Sequence, residues 1–207
     1  MIYASRITFK ENMNLQNKVI LITGVGKGNG RLLAESLAKQ GAFIAANDIS
    51  PMNVEDVVKE INTKGGKAKS YIEDVAKKVG AQALINNVED DFGTIDILIN
   101  HATVEPHVSL LSMDEWDWHR VLDVNLTGAF LMMQSVGRVM KAKGSGVIIC
   151  LVAESGDESK KEAGAYFTSQ AGLRELSNQM NVELSPYQVK VYALENANEV
   201  LSLLEVG

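Results

Sequence analysis

The run Val19-Ile20-Leu21-Ile22-Thr23 is followed at once by Gly24, with Gly26, Gly28 and Gly30 at alternate positions after it. Four consecutive apolar residues, three of them β-branched, predict a strand buried on both faces, as in a parallel sheet. Leu32, Leu33, Leu37 and Ala38 then recur at helical spacing, so the order is strand, glycine turn, helix. No other feature constrains the fold as much. In that context glycines let the main chain approach a pyrophosphate, and the helix N-terminus offers unpaired N–H groups and a positive dipole end. A nucleotide is the predicted ligand. For a glycine cluster standing alone, a tight turn is the plainer reading.

The alternation continues. Gly41 ends the first helix, and the run from Phe43 to Ala46 predicts a second strand with Asp48 at its end. A carboxylate about 20 residues past the glycine turn can accept both ribose hydroxyls of an adenosine, and repels the extra phosphate of NADP. Lys27, in the turn itself, points the other way, because a basic side chain there can pair with that phosphate. Asp48 carries more weight, since its charge lies against the ribose. The plainer reading of Asp48 is a solvated strand-end aspartate.

Val54, Val57, Val58 and Ile61 mark an amphipathic helix starting near Ser50-Pro51. Further strands are predicted over 68–72, 95–100, 147–152 and 189–194, with helices over 77–91, 114–143 and 163–184 and a last helical segment over 198–206. Alternating strands and helices predict an α/β, Rossmann-type, doubly wound parallel sheet. The expected arrangement is a single domain of three layers, with helices on both faces, over 15–207. Residues 1–14 are set apart as an N-terminal extension.

Composition narrows the function classes. Of 207 residues, 46% are hydrophobic and 22% charged, an ordinary globular balance. A net charge of −6 disfavours nucleic acid or an anionic membrane as partner, because both need a basic face. No apolar run reaches the ~18 residues of a membrane helix. No signal peptide is seen, and Cys150 stands alone in an apolar run, so a cytoplasmic protein with that residue in its core is expected. No histidine has ligand-like spacing, and no metal site is expected.

Thr23-Gly24-x-x-x-Gly28-x-Gly30 does not fit G-x-G-x-x-G, but it resembles the T-G-x-x-x-G-x-G turn of the short-chain dehydrogenase/reductase family. Gly41-Ala42 with Asp48, Asp74-Val75, Phe92-Gly93-x-Ile95-Asp96-Ile97-Leu98 and Val124-Asn125-Leu126-x-Gly128 resemble family landmarks in register, so the likeness spans about 15–194. The resemblance implies NAD(P)-dependent hydride transfer between nicotinamide and a small alcohol or carbonyl. It implies cofactor contacts from Thr23, Gly24, Lys27, Gly28, Asn29, Gly30, Asp48, Ile49, Asp74, Val75, Asn100, Ala102 and Tyr166. Tyr166 is the expected acid/base and Asn125 its support. NAD is favoured over NADP, and a homodimer through the 114–143 and 163–184 helices is expected.

The family pairs its tyrosine with a lysine four residues on and a serine thirteen before. Here those positions hold Gln170 and Ala153. Ser155 is the nearest hydroxyl. The family's Asn-Asn-Ala-Gly is Asn100-His101-Ala102-Thr103, and His101 is weighed as a proton-exchanging substitute against a packed histidine, with the packed reading favoured. The charged stretch around Glu154, Asp157, Glu158, Lys160, Lys161 and Glu162 is expected to be a solvated loop. The family's Pro-Gly turn after the sixth strand is replaced by Glu195-Asn196-Ala197, and the usual substrate-covering segment is expected to be lacking. Two classes therefore compete: an oxidoreductase with impaired catalysis, and a non-catalytic dinucleotide-binding or interaction module.

Overall fold

A computed structural model describes residues 14–153 and 161–204. Ser155, most of the charged stretch, nearly all of the N-terminal extension and the end of the last helical segment lie outside the described residues. Six strands form one parallel sheet: β1 (Val19–Thr23), β2 (Phe43–Asp48), β3 (Lys67–Ile72), β4 (Ile97–Asn100), β5 (Gly146–Leu151) and β6 (Val189–Leu194). Their spatial order is β3-β2-β1-β4-β5-β6. All five pairings are parallel, and central Leu21 sits opposite Ala45 on one side and Leu98 on the other.

Seven helices cover the sheet among the described residues: α1 (Gly28–Lys39), α2 (Pro51–Thr63), α3 (Lys78–Phe92), α4 (Glu115–Leu122), α5 (Ala129–Lys143), α6 (Gly164–Leu184) and α7 (Ala197–Leu204). Strand alternation sends Ile20 and Ile22 to one face and Leu21 to the other. The first face packs with Leu33 and Leu37 of α1, Val54 and Val57 of α2, and Val200 and Leu204 of α7. The second packs with Leu84 of α3, Met133 of α5 and Leu173 of α6. Cys150 is fully buried on this side. The doubly wound, three-layer expectation holds. Edge strand β3 carries Lys67 and Lys69 on its outer positions, which discourages a further strand from adding.

The single helix expected over 114–143 is corrected. Asp114 caps α4, its side chain accepting from Asp117 N–H at 2.8 Å. After α4 the hydrogen bonding widens to a π-helical turn over Asp123–Gly128 before α5 resumes. Backbone angles stay right-handed helical across both joints, so the rod is continuous but widened by one extra residue in that turn. Asn125 is buried within this turn and bonded sideways to other segments. A 3-10 turn over Ser185–Tyr187 between α6 and β6 was also not expected; the other differences among the described residues are shifts of one or two residues at element ends.

Because β3 is followed by β4, which lies beside β1, the chain reverses its direction of travel between β1 and β4. Ligands of open α/β sheets bind at the carboxyl ends of the strands beside such a switch point. There the glycine turn leaves β1 and residues 101–104 leave β4.

Candidate active site

The turn after β1 is shaped by its glycines. Gly24 has φ +70°, and a Cβ there would lie 2.7 Å from Ala102 Cα. Gly30 is more tightly enclosed, since a Cβ would fall 2.3 Å from Gly24 O and 2.7 Å from His101 Nδ1. Gly28 differs: its φ is +59°, yet a Cβ would meet nothing within 4 Å. The fold needs Gly28 for its backbone angle and leaves the space in front of it open. Helix α1 starts at Gly28, and the preceding Lys27 makes no side-chain cap, so no side chain at the cap position takes up the first N–H groups. This is a cradle suited to an anionic pyrophosphate.

Asp48 borders the same turn. Its Oδ2 accepts Gly26 N–H at 2.8 Å and its Oδ1 accepts Ser50 N–H at 2.9 Å. The carboxylate is therefore fixed by main chain on both sides and retains lone pairs for a ligand. Asn47, only 1% exposed, anchors this corner. Its side-chain amide donates to Tyr71 O at 3.1 Å and Glu73 O at 3.0 Å, while its main-chain carbonyl accepts Val25 N–H. Sequence reasoning passed over Asn47; the available signal was a polar residue inside an apolar strand.

Thr23 lies sealed at the end of β1. Its Oγ1 accepts the N–H groups of His101 and Ala102, both at 3.1 Å. It acts by holding the β4 loop against the glycine turn. His101 Nδ1 stands 3.0 Å from Gly24 O, an acceptor, so that nitrogen carries the hydrogen. Burial lowers the His101 pKa below its ordinary value, opposed only in part by the Gly24 carbonyl and the Asp48 charge. The ring is a neutral, packed histidine at pH 7.

Two cavities meet over 101–103. The larger, about 760 Å³, is walled by Gly24, Lys27, Asp48 and Ile49 on the β1–β2 side and by Asp74, Val75 and Ala102 on the other. The smaller, about 220 Å³, takes in Asn29, Asn100, Ala102, Asn125, Tyr166 and Gln170. Thr23, Gly28 and Gly30 line neither cavity but set the geometry of those that do.

The smaller cavity gathers carboxamides. Asn125 Oδ1 accepts Val104 N–H at 2.8 Å, and its Nδ2 donates to Val104 O at 2.9 Å and to Ser169 Oγ at 3.0 Å. Ser169 in turn donates to Tyr166 O at 2.6 Å. Asn125 thus ties the β4 loop to the turn of α6 that presents Tyr166. Gln170, one turn further along α6, is 5% exposed, and its Oε1 accepts Ala153 N–H at 3.0 Å. Asn100 Nδ2 faces Cys150 Sγ at 3.5 Å. Glu195 is the one carboxylate among the described residues of this wall, which include no lysine or arginine, and Arg174 pairs with it at 2.8 Å. Arg174 and Glu195 were also missed; the signal was an arginine at helical spacing from Tyr166 and Gln170. Among the described residues no three histidine, cysteine or carboxylate side chains gather as metal ligands.

Fold and cleft together define a Rossmann-type α/β domain whose crevice opens at the β1–β4 switch point. A family model described as short chain dehydrogenase matches residues 18–197, and the chain belongs to that family of oxidoreductases. An uncharacterized oxidoreductase of Thermotoga maritima is 35% identical over 182 residues, covering 88% of this chain and 72% of that protein. A structure of NAD+-bound xylitol dehydrogenase superposes with a TM-score of 0.84 at 30% identity, over 88% of this chain and 71% of that one. A metagenomic short-chain oxidoreductase in complex with NADP gives 0.87 at 26% identity, over 94% and 93%. Relatives of this fold hold either dinucleotide.

Proposed function

We propose that the chain binds NAD(H) along the two joined cavities and is an oxidoreductase whose hydride transfer is strongly impaired. The open space before Gly28 and the uncapped start of α1 suit the pyrophosphate, with Lys27, Asn29 and Gly30 beside it. Asp48, held by two main-chain N–H groups, suits the adenosine ribose and favours NAD over NADP. Ile49, 69% exposed beside the larger cavity, with Asp74 and Val75, suits the adenine. Asn100 and Ala102 line the cavity toward Tyr166, where the nicotinamide end would lie. When bound, the dinucleotide supplies or takes the hydride; the proton falls to this chain's own residues.

One observation carries the impairment: the position one turn beyond Tyr166 holds Gln170, its oxygen committed to Ala153 N–H. A free phenol has a pKa of about 10 and is ionised about once in a thousand at pH 7. Lowering that to about 7 takes ~4 kcal/mol of differential stabilisation. A neutral amide brings no positive charge, and Ala153 brings no hydroxyl for the substrate oxygen, a donor of a type worth about 3 kcal/mol of barrier. The same observation favours the alternative, a non-catalytic dinucleotide-binding module, if turnover is nil. The substrate class proposed for residual activity is a small alcohol or carbonyl.

Titration with NADH and NADPH by fluorescence and calorimetry tests binding; NADH is expected to bind more tightly, and no heat with no spectral change would refute the reading. A screen of small polyols, alcohols and ketones tests catalysis. Brisk turnover by the unmodified chain that is lost in Tyr166→Phe would overturn the impairment. A homodimer through the rod of α4 and α5 and through α6 belongs to this proposal, supported by exposed Trp116 and Val182 on those helices. Light scattering showing monomer alone would remove it. A cytoplasmic setting is proposed from the single, buried cysteine.

A further inference from the structure

Ala153 sits just past β5, on the wall of the smaller cavity. Both of its main-chain polar groups are taken by side chains of one helix. Gln170 Oε1 accepts its N–H at 3.0 Å, and Arg174 donates from a guanidinium nitrogen to its C=O at 3.1 Å. Gln170 and Arg174 are four residues apart on α6 and so share a face. The same Arg174 nitrogen reaches Glu195 Oε1 at 2.8 Å, just past β6. Glu195 N–H is itself fixed by Glu199 Oε2 at 2.8 Å, within α7. One helix therefore holds the ends of two neighbouring strands, gripping Ala153 by the two peptide groups that flank it and Glu195 by its carboxylate.

We propose that Gln170 and Arg174 are positioning residues that act through the main chain of Ala153, as a two-point clamp on its N–H and C=O that sets this wall of the cavity Tyr166 also lines. The inference rests on the reading that this cavity receives the nicotinamide end of the cofactor. Its chemistry is specific. An amide has an acceptor for the Ala153 N–H; a lysine ammonium has three donors and none. Placing lysine at 170 leaves that N–H without its partner and sets one donor against another. Gln170 is thus a built part of this wall rather than a lysine site with the charge removed, and Gln170→Lys alone loosens the wall instead of repairing the catalytic set.

Amide hydrogen exchange at Ala153, followed by NMR on the full chain, tests the clamp independently of any ligand. Gln170→Lys and Gln170→Met are expected to speed exchange at Ala153 roughly tenfold or more, while Ile148 within β5 keeps its protection. Gln170→Glu, which keeps an acceptor, is expected to retain slow exchange, a rescue that a volume-filling role would not give. In NADH titrations, Gln170→Met and Arg174→Met are each expected to weaken binding severalfold. The double variant is expected to lose less than the product of the two losses. Unchanged Ala153 exchange in both Gln170→Lys and Gln170→Met, or loss of protection in Gln170→Glu as well, overturns the clamp. If Gln170→Lys does not fold, the Met and Glu variants decide. If the unmodified chain binds no NADH, the cofactor reading falls, and the exchange measurements still decide the clamp.

Discussion

Glycines with the same side chain do different work in this site, and substitution separates them. Gly30→Ala drives a Cβ into Gly24 O at 2.3 Å, a main-chain atom that cannot step aside. Overpacking of this kind costs about 1–3 kcal/mol, and thermal melting is expected to fall by several degrees. Gly28→Ala meets no protein atom and pays only for its left-handed backbone, about 1 kcal/mol, but its methyl enters the space proposed for the pyrophosphate. Calorimetry is expected to show NADH binding lost in Gly28→Ala with melting little changed. His101 offers a second contrast. Its Nδ1–H donates to Gly24 O, a bond an asparagine amide can replace. His101→Asn is expected to keep NADH affinity within a fewfold. His101→Ala is expected to lose about tenfold, having removed a buried donor and its packing. Equal losses in both would show that the hydrogen bond is irrelevant.

Elements are held in register by a few polar braces at the opposite end of the sheet from the cleft. Asp96, before β4, accepts Val19 N–H at 2.9 Å at the start of β1 and pairs with Lys143 at the end of α5 and with Lys18. Burial pushes the Asp96 carboxyl upward, but Lys143, the Val19 N–H and Lys18 outweigh it, and its pKa lies below the ordinary aspartate value. A carboxyl depressed in the folded state adds stability that is complete above its unfolded pKa of about 4 and is lost as pH falls through the folded value. Melting temperature is therefore expected to drop below about pH 4, and Asp96→Asn to flatten that drop while costing about 1–3 kcal/mol at pH 7. Thermal melts of both proteins from pH 3 to 7 check this; parallel curves would exclude Asp96 as a source of the acid sensitivity. On one face of the sheet, Arg31 of α1 links Glu35 at 3.0 Å, Asp56 of α2 at 2.9 Å, and Glu60 of α2. These groups are substantially exposed, so Arg31→Met is expected to cost no more than about 1 kcal/mol, with salt reducing the difference.

At the scale of the whole molecule, the switch between β1 and β4 makes one crevice out of segments far apart in the chain. The glycine turn, Asp48 and the 101–103 loop converge there because parallel strands all deliver their loops to the same end. Every strand and helix type was legible in the sequence, since buried parallel strands are unbroken apolar runs and helices repeat every three to four residues. The π-helical turn was not, because no local pattern marks it, and the bonds that hold Asn125 within it reach Val104 and Ser169, 21 and 44 residues away. Of the site, the sequence alone determined the glycine turn, the strand-end Asp48, and the substitution of Gln170 and Ala153 at positions where the resemblance expects lysine and serine. These are local facts of residue type and spacing. Only the tertiary structure decided that Thr23 is sealed beneath the cleft, that Asn47 anchors its corner, and that Gln170 and Arg174 hold the N–H and the C=O of one residue, Ala153. Spacing along a chain fixes which side chains share a helix face; which main-chain groups that face meets is set by how helices settle on the sheet.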